Sequence, residues 1–197
     1  MVKSRDELLR DGLSHIKKWC QLNSVDVPRV MIYETGEPEF EVCAYYRNDI
    51  IHIWPKYCAH IGRTGRAWSY PGYTVDRTPF GVIAHELGHH VDDAAGTRGG
   101  KLARKWRVET CEEQISGYAD NTNEWFAEIF RVFVTNPDLL SKLRPRMFER
   151  LIEKWPTQAE IRSWESVLQD SERHIAAARN KIKKADRFKM IQPFLEL

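Results

Sequence analysis

The segment His85-Glu86-Leu87-Gly88-His89 constrains this chain more than any other. On an α-helix, residues i and i+4 stand one above the other on a single face, so the two imidazoles reach a common ion while Glu86 projects beside it. The flanking residues ask for that helix independently of the motif. Thr78-Pro79 reads as an N-cap followed by proline at the first helical position, and Val82, Ile83, Ala84, Leu87 and Val91 supply an apolar surface through the same turns. A helix over residues 79–94 is expected, closing near Gly96. The motif on that helix is the pattern of a zinc site with its own base, Glu86.

A catalytic zinc takes three protein ligands and leaves a fourth position open, so a third donor is needed downstream. Residues 123–130 have helical periodicity, with Thr122 or Asn123 as cap and Asn136-Pro137 as stop. Glu124 and Glu128 share one face at i and i+4, while Trp125, Phe126, Ile129, Phe130 and Phe133 crowd the core-facing sides. Glu124 is the expected third ligand. Glu128, one turn on, is expected to reach the second ring nitrogen of a ligand histidine and fix its tautomer. The plain alternative for both is a solvated helix carboxylate. His90 points about 100° away from His89 and cannot share the ion. It is expected to form outer hydrogen bonds together with Asp92 or Asp93, one of which is a candidate for orienting His89.

These residues carry a resemblance. The chain resembles a gluzincin metallopeptidase, the zincin branch with the paired histidines plus a glutamate on a later helix, and is most similar to the catalytic-domain family of anthrax lethal factor. The matching residues are His85 to His89, Ser116-Gly117-Tyr118 and the stretch 121–130. Trp125 stands where that family carries another aromatic residue, and Tyr118 lies at a slightly different spacing from Glu124. The resemblance implies an α+β, zincin-like core of a small mixed sheet and active-site helices. It implies a zinc metallopeptidase holding one Zn2+ per chain through His85, His89 and Glu124, with Glu86 as general base, Tyr118 supporting the oxyanion and Glu128 behind a ligand histidine. The substrate would be a peptide or protein, and a small cleft bordered by charged loops suits selected peptides more than bulk degradation.

The remaining elements fit around this centre. A helix over residues 5–22, with Leu8, Leu9, Leu13, Ile16 and Trp19 along one side, should pack on a sheet. Residues 29–34 read as a strand, and residues 41–46 and 49–54 flank an Arg47-Asn48 turn as a hairpin. By likeness to zincins, residues 50–54 are the candidate edge for docking extended substrate. His52 alternates with Ile51 and Ile53 and is a solvent-side or core-edge residue, His60 belongs to a loop bordering the cleft, and His15 and His174 earn no role. The long link over residues 97–121 suggests either a short helix at 102–115 or a mobile cleft wall.

Two units are expected, a catalytic core over residues 1–136 and a helical extension over 137–197. The extension would hold a helix at 139–155, a capping box at Thr157-Gln158-Ala159-Glu160 and a heptad seam from Ile161 to Ala185. That seam would close an intramolecular hairpin or meet a partner helix. With a net charge of only +2 and no recognised reading motif, the basic stretch 179–189 is read as a solvated face and nucleic-acid binding is not expected. No stretch approaches membrane-spanning length, no signal peptide is read at the N-terminus, and the four scattered cysteines suggest reduced thiols, so a cytoplasmic setting is expected. Two other readings stay open: a catalytically silent zinc-holding assembly protein with a zincin fold, and a protease tethered to nucleic acid by the basic segment.

Overall fold

The structure, a computed structural model, describes residues 3–38, 42–59, 69–70, 73–95, 101–119 and 121–155. Helix α1 (Arg5–Leu22) starts at Ser4, whose hydroxyl accepts from the Glu7 N–H at 3.2 Å while the Glu7 carboxylate accepts from the Ser4 N–H at 2.7 Å. This reciprocal cap satisfies two donors that the first turn leaves unpaired. The buried side of α1, with Leu8, Leu9, Ile16 and Trp19, packs chiefly on helix α2 (Pro79–Ala95), where a sheet was expected. At Gly12 the two helices run so close that an added Cβ would stand 3.4 Å from Phe80 Cα.

Strands β1 (Arg29–Ile32), β2 (Ala44–Arg47) and β3 (Ile50–Ile53) form a mixed sheet in the order β1-β3-β2. β1 runs parallel to β3, and β2 runs antiparallel to it. Ile51 and Ile53 are fully buried on the face toward α2, as alternation requires. Two expectations need correction. The hairpin turns on Asn48-Asp49, one residue later than Arg47-Asn48, because Arg47 still pairs with Ile50 and the next two residues take the left-handed φ values, 52° and 61°, of a tight two-residue turn. Residues 50–54, the expected docking edge, hold the centre of the sheet instead, with both sides of β3 already hydrogen-bonded. Among the described residues β2 pairs on one side only, and its residues Ala44, Tyr45 and Tyr46 line the same cleft as His85 and His89. A second, two-stranded pairing joins β4 (Ser69–Tyr70) to β5 (Tyr73–Thr74).

Four further helices complete the fold: α3 (Lys101–Thr110), α4 (Thr122–Thr135), α5 (Pro137–Leu143) and α6 (Pro145–Lys154). α3 is shorter than the expected 102–115 helix and ends where Cys111 takes a φ of 52°. The single helix expected at 139–155 is broken into α5 and α6. Pro145 lacks the N–H a continuing helix needs and forces Arg144 out of the helical region, to φ −139° and ψ 67°.

One apolar cluster unites α1, β3, α2, α3, α4, α5 and α6. Trp19 meets Phe130 edge-on at 5.1 Å between ring centroids, Trp155 lies 5.6 Å from Trp19, and Trp106 lies 5.9 Å from Phe126. Leu140, Met147, Leu151 and Trp155 are buried in the same cluster, so residues 137–155 pack with the rest. The expected capping box, heptad seam and basic stretch lie outside the described residues. Among the described residues no helix is long and apolar enough to cross a membrane.

Candidate metal centre

The site forms where α2 crosses α4. A Cβ on Gly88 would stand 2.9 Å from Ala127 Cα and 3.1 Å from Phe130 Cβ, so the crossing depends on small residues on both helices. This proximity brings the α4 carboxylates to the α2 histidines. Glu124 Oε2 lies 3.0 Å from His85 Nε2, and Glu124 Oε1 lies 3.5 Å from His89 Nε2. One donor atom from each of His85, His89 and Glu124 lies within 4.8 Å of the others. A tetrahedral ion with bonds of about 2.0–2.2 Å spaces its ligand atoms by about 3.3 Å, so the trio fits such an ion. Two imidazole nitrogens and one carboxylate oxygen are also a donor set that suits zinc.

The first turn of α4 is held by Asn121, not by Thr122 or Asn123 as expected. Asn121 Oδ1 accepts from the N–H groups of Asn123 and Glu124, both at 3.0 Å, and Thr122 is already inside the helix. The cap thus fastens the backbone of the candidate ligand Glu124 itself. At α2 the hydroxyl of Thr78 is buried without a hydrogen bond among the described residues, and the Asp76 carboxylate takes the Thr78 N–H at 2.8 Å instead.

Glu128 is fully buried and faces three donors. His85 Nδ1 lies 2.8 Å from Oε1, Ser116 Oγ donates to Oε2 at 2.6 Å, and Arg131 Nη2 lies 3.0 Å from Oε1. Burial alone raises this carboxyl, but the Arg131 charge and the bonds from His85 and Ser116 outweigh it and hold it at about 2. A carboxylate can only accept, so the proton sits on His85 Nδ1 and Nε2 is turned to Glu124. Burial and the Arg131 charge pull the His85 imidazole down, yet the hydrogen bonds with Glu124 and Glu128 lift it to about 9. The two carboxylates therefore stabilise a positive charge at Nε2, the charge a bound cation would supply. Burial pushes Glu124 up, and its bonds with His85 and His89 carry it far below the usual carboxylate range.

The histidines open into a cleft of about 650 Å³. Ala44, Tyr45 and Tyr46 of β2 line it together with Glu86, Tyr118 and Glu124. The Tyr118 ring centroid is 5.8 Å from that of His85. Burial, then the charges of Glu124 and Glu86, push the Tyr118 phenol up to about 12, so its hydroxyl keeps its proton. The segment that carries Ser116 and Tyr118 is pinned rather than free. Arg144 donates to the carbonyls of Glu113 (2.7 Å) and Gln114 (2.6 Å), and Trp125 Nε1 donates to that of Glu112 (3.2 Å). The Glu112 carboxylate in turn caps α6 through the N–H groups of Arg146 and Met147, at 3.0 and 2.9 Å.

The other histidines and acids take different posts. His90 Nε2 donates to the Asp26 carbonyl at 2.7 Å and its Nδ1 lies 3.2 Å from the Tyr46 hydroxyl, tying α2 to the chain before β1 and to β2. Asp92, one of the two acids that were candidates for orienting His89, has a partner on another helix. Its Oδ1 accepts the Ala103 N–H at 2.8 Å and so holds the start of α3. Asp93 lines the cleft. His52 lies 2.9 Å from the Tyr33 hydroxyl and stacks on Tyr45, on the face opposite Ile51 and Ile53. His15 meets Phe80 edge-on at 5.3 Å. His60 and His174 lie outside the described residues.

Two contributors had no assigned part in the sequence reading. Arg131 falls at i+3 from Glu128 among buried apolar residues, a placement that itself signals a charge pair. Ser116 gives no comparable local signal. No protein-family model, curated protein or solved structure matches this chain.

Proposed function

We propose that this chain is a zincin-like metallopeptidase of the gluzincin kind, in which His85, His89 and Glu124 hold one zinc ion and Glu86 is the general base. The observation that carries this reading is the meeting of three donor atoms within 4.8 Å, in a cleft that Glu86 also lines. A purely structural zinc has no use for that extra carboxylate. Zinc bound by these residues would lower the pKa of a water to about 7 and polarise a carbonyl. Glu86 accepts the proton of the attacking water and passes it to the leaving amine. Tyr118 keeps its phenolic hydrogen and donates it to the developing oxyanion, a contribution of about 3 kcal/mol for a well-placed donor. The unpaired side of β2 offers main-chain groups to an extended peptide substrate.

The test is elemental analysis paired with peptide-library cleavage by the wild type and by Glu86→Gln. One zinc per chain in both, with cleavage confined to the wild type, is the expected result. Zinc in both with no library peptide cut by the wild type overturns the peptidase reading in favour of a zinc-holding binding protein.

A further inference from the structure

Cys43 and Cys58 are free thiols whose sulfurs lie 2.7 Å apart. The backbone accounts for the meeting. The Trp54 N–H donates to the Cys43 carbonyl at 2.8 Å, adding one rung to the β2–β3 hairpin beyond Ala44 and Ile53. A 3-10 turn at Pro55–Tyr57 then folds the chain back, leaving Cys58 Sγ 3.8 Å from the Trp54 carbonyl oxygen. Cys58 is buried and Cys43 is half-buried. Only about 0.7 Å of closure separates the pair from a covalent S–S of about 2.05 Å.

The geometry points to a modification site independent of the peptidase reading: Cys43 and Cys58 form an intramolecular disulfide by exchange with a low-molecular-weight disulfide such as glutathione disulfide. The bond fastens the open end of the hairpin whose strand β2 walls the cleft. In the first step the Cys43 thiolate attacks one sulfur of glutathione disulfide, which expels one glutathione thiolate that takes up the proton Cys43 released. In the second, Cys58 Sγ attacks Cys43 Sγ, breaks the mixed disulfide and gives its proton to the second departing glutathione. Two protein thiols are oxidised and one glutathione disulfide is reduced to two glutathiones. The hydrogen bond with Cys43 and burial hold the Cys58 thiol far above the ordinary thiol range. Cys43 is half-buried and Cys58 buried, so Cys43 meets glutathione disulfide first and the step that uses the buried Cys58 sets the rate. Cys20 is fully buried and serves as the internal control, while Cys111 is exposed and is removed by Cys111→Ser.

The experiment takes the full chain carrying Cys111→Ser, fully reduced, then equilibrates it with an excess of glutathione disulfide. Peptide mapping without reduction should find residue 43 joined to residue 58, with the loss of two hydrogens and Cys20 still alkylatable. The linked form should melt about 5 °C or more above the reduced form, as expected when a short chain loop is closed, and Cys43→Ser should abolish the difference. Two free thiols at equilibrium, or a glutathione adduct on Cys43 that does not resolve to the linkage, overturns the proposal. A linked form that melts no higher than the reduced one overturns the fastening.

Discussion

Glu128 satisfies three donors at once, and the orientation of the site depends on it. With His85 Nδ1, Ser116 Oγ and Arg131 Nη2 all turned to one carboxylate, the His85 ring is held in a single direction, Nδ1–H on Glu128 and Nε2 toward Glu124. Glu128→Gln puts an amide donor among those donors. Zinc affinity should fall by about 10–100-fold, read by competition with a chelating dye on protein whose circular dichroism shows it folded. Unchanged affinity would mean that the ring is oriented by packing alone. Tyr118→Phe removes one hydroxyl and little volume. If the phenol acts as proposed, on charge that develops only in the transition state, kcat on a cleaved peptide should fall by about 100-fold with KM nearly unchanged. A rise in KM at constant kcat would place the hydroxyl on the ground-state peptide instead. Glu124 and Glu128 were legible in the sequence because i and i+4 share a helix face. Ser116 was not, since nothing local marks a serine in a loop as the donor to a buried acid twelve positions later.

The helix crossing decides whether these residues meet at all. Gly88 lies inside the motif, between the two histidines. Its use is steric, because the backbone of Ala127 and the Cβ of Phe130 occupy the space a side chain would take. Gly88→Ala gains about 1 kcal/mol of helix propensity. The new methyl, however, meets atoms that cannot swing aside, and overpacking of this kind costs about 1–3 kcal/mol. A net loss of up to about 2 kcal/mol in chemical denaturation is expected, together with weaker zinc binding as α2 and α4 part. Stability equal to or above that of the wild type would show that the crossing has room to give. At the same scale, the break between α5 and α6 follows from Pro145 by a purely local rule. The order of strands does not follow from any local rule. β1, β2 and β3 are each marked by composition and turns, yet which one lies in the middle depends on β1 crossing over to pair in parallel with β3.

For the whole molecule, the candidate centre joins two helices that also carry the largest share of the core, since α2 and α4 supply Phe80, Leu87, Trp125, Phe126 and Phe130. A ligand bound by both helices in the folded state alone stabilises the fold through mass action, by about 2.7 kcal/mol at a free concentration one hundred times Kd. Saturating zinc should therefore raise the melting temperature by about 5–10 °C for a chain of this size, and a chelator should reverse the rise. Glu86→Gln should keep the shift and His89→Ala should lose it. A melting temperature indifferent to zinc in the wild type would argue against an ion shared by α2 and α4. The sequence by itself determined the parts that repeat at helical or strand period: α1, the span of α2, both carboxylates of α4, and the hairpin to within one residue. Backbone geometry dictates those offsets wherever the chain is placed. Only the tertiary structure decided that β3 is central, that Asp92 serves α3, that Ser116 reaches Glu128 and that Cys43 meets Cys58. Each of those joins segments whose separation along the chain carries no period, and packing alone brings them within reach.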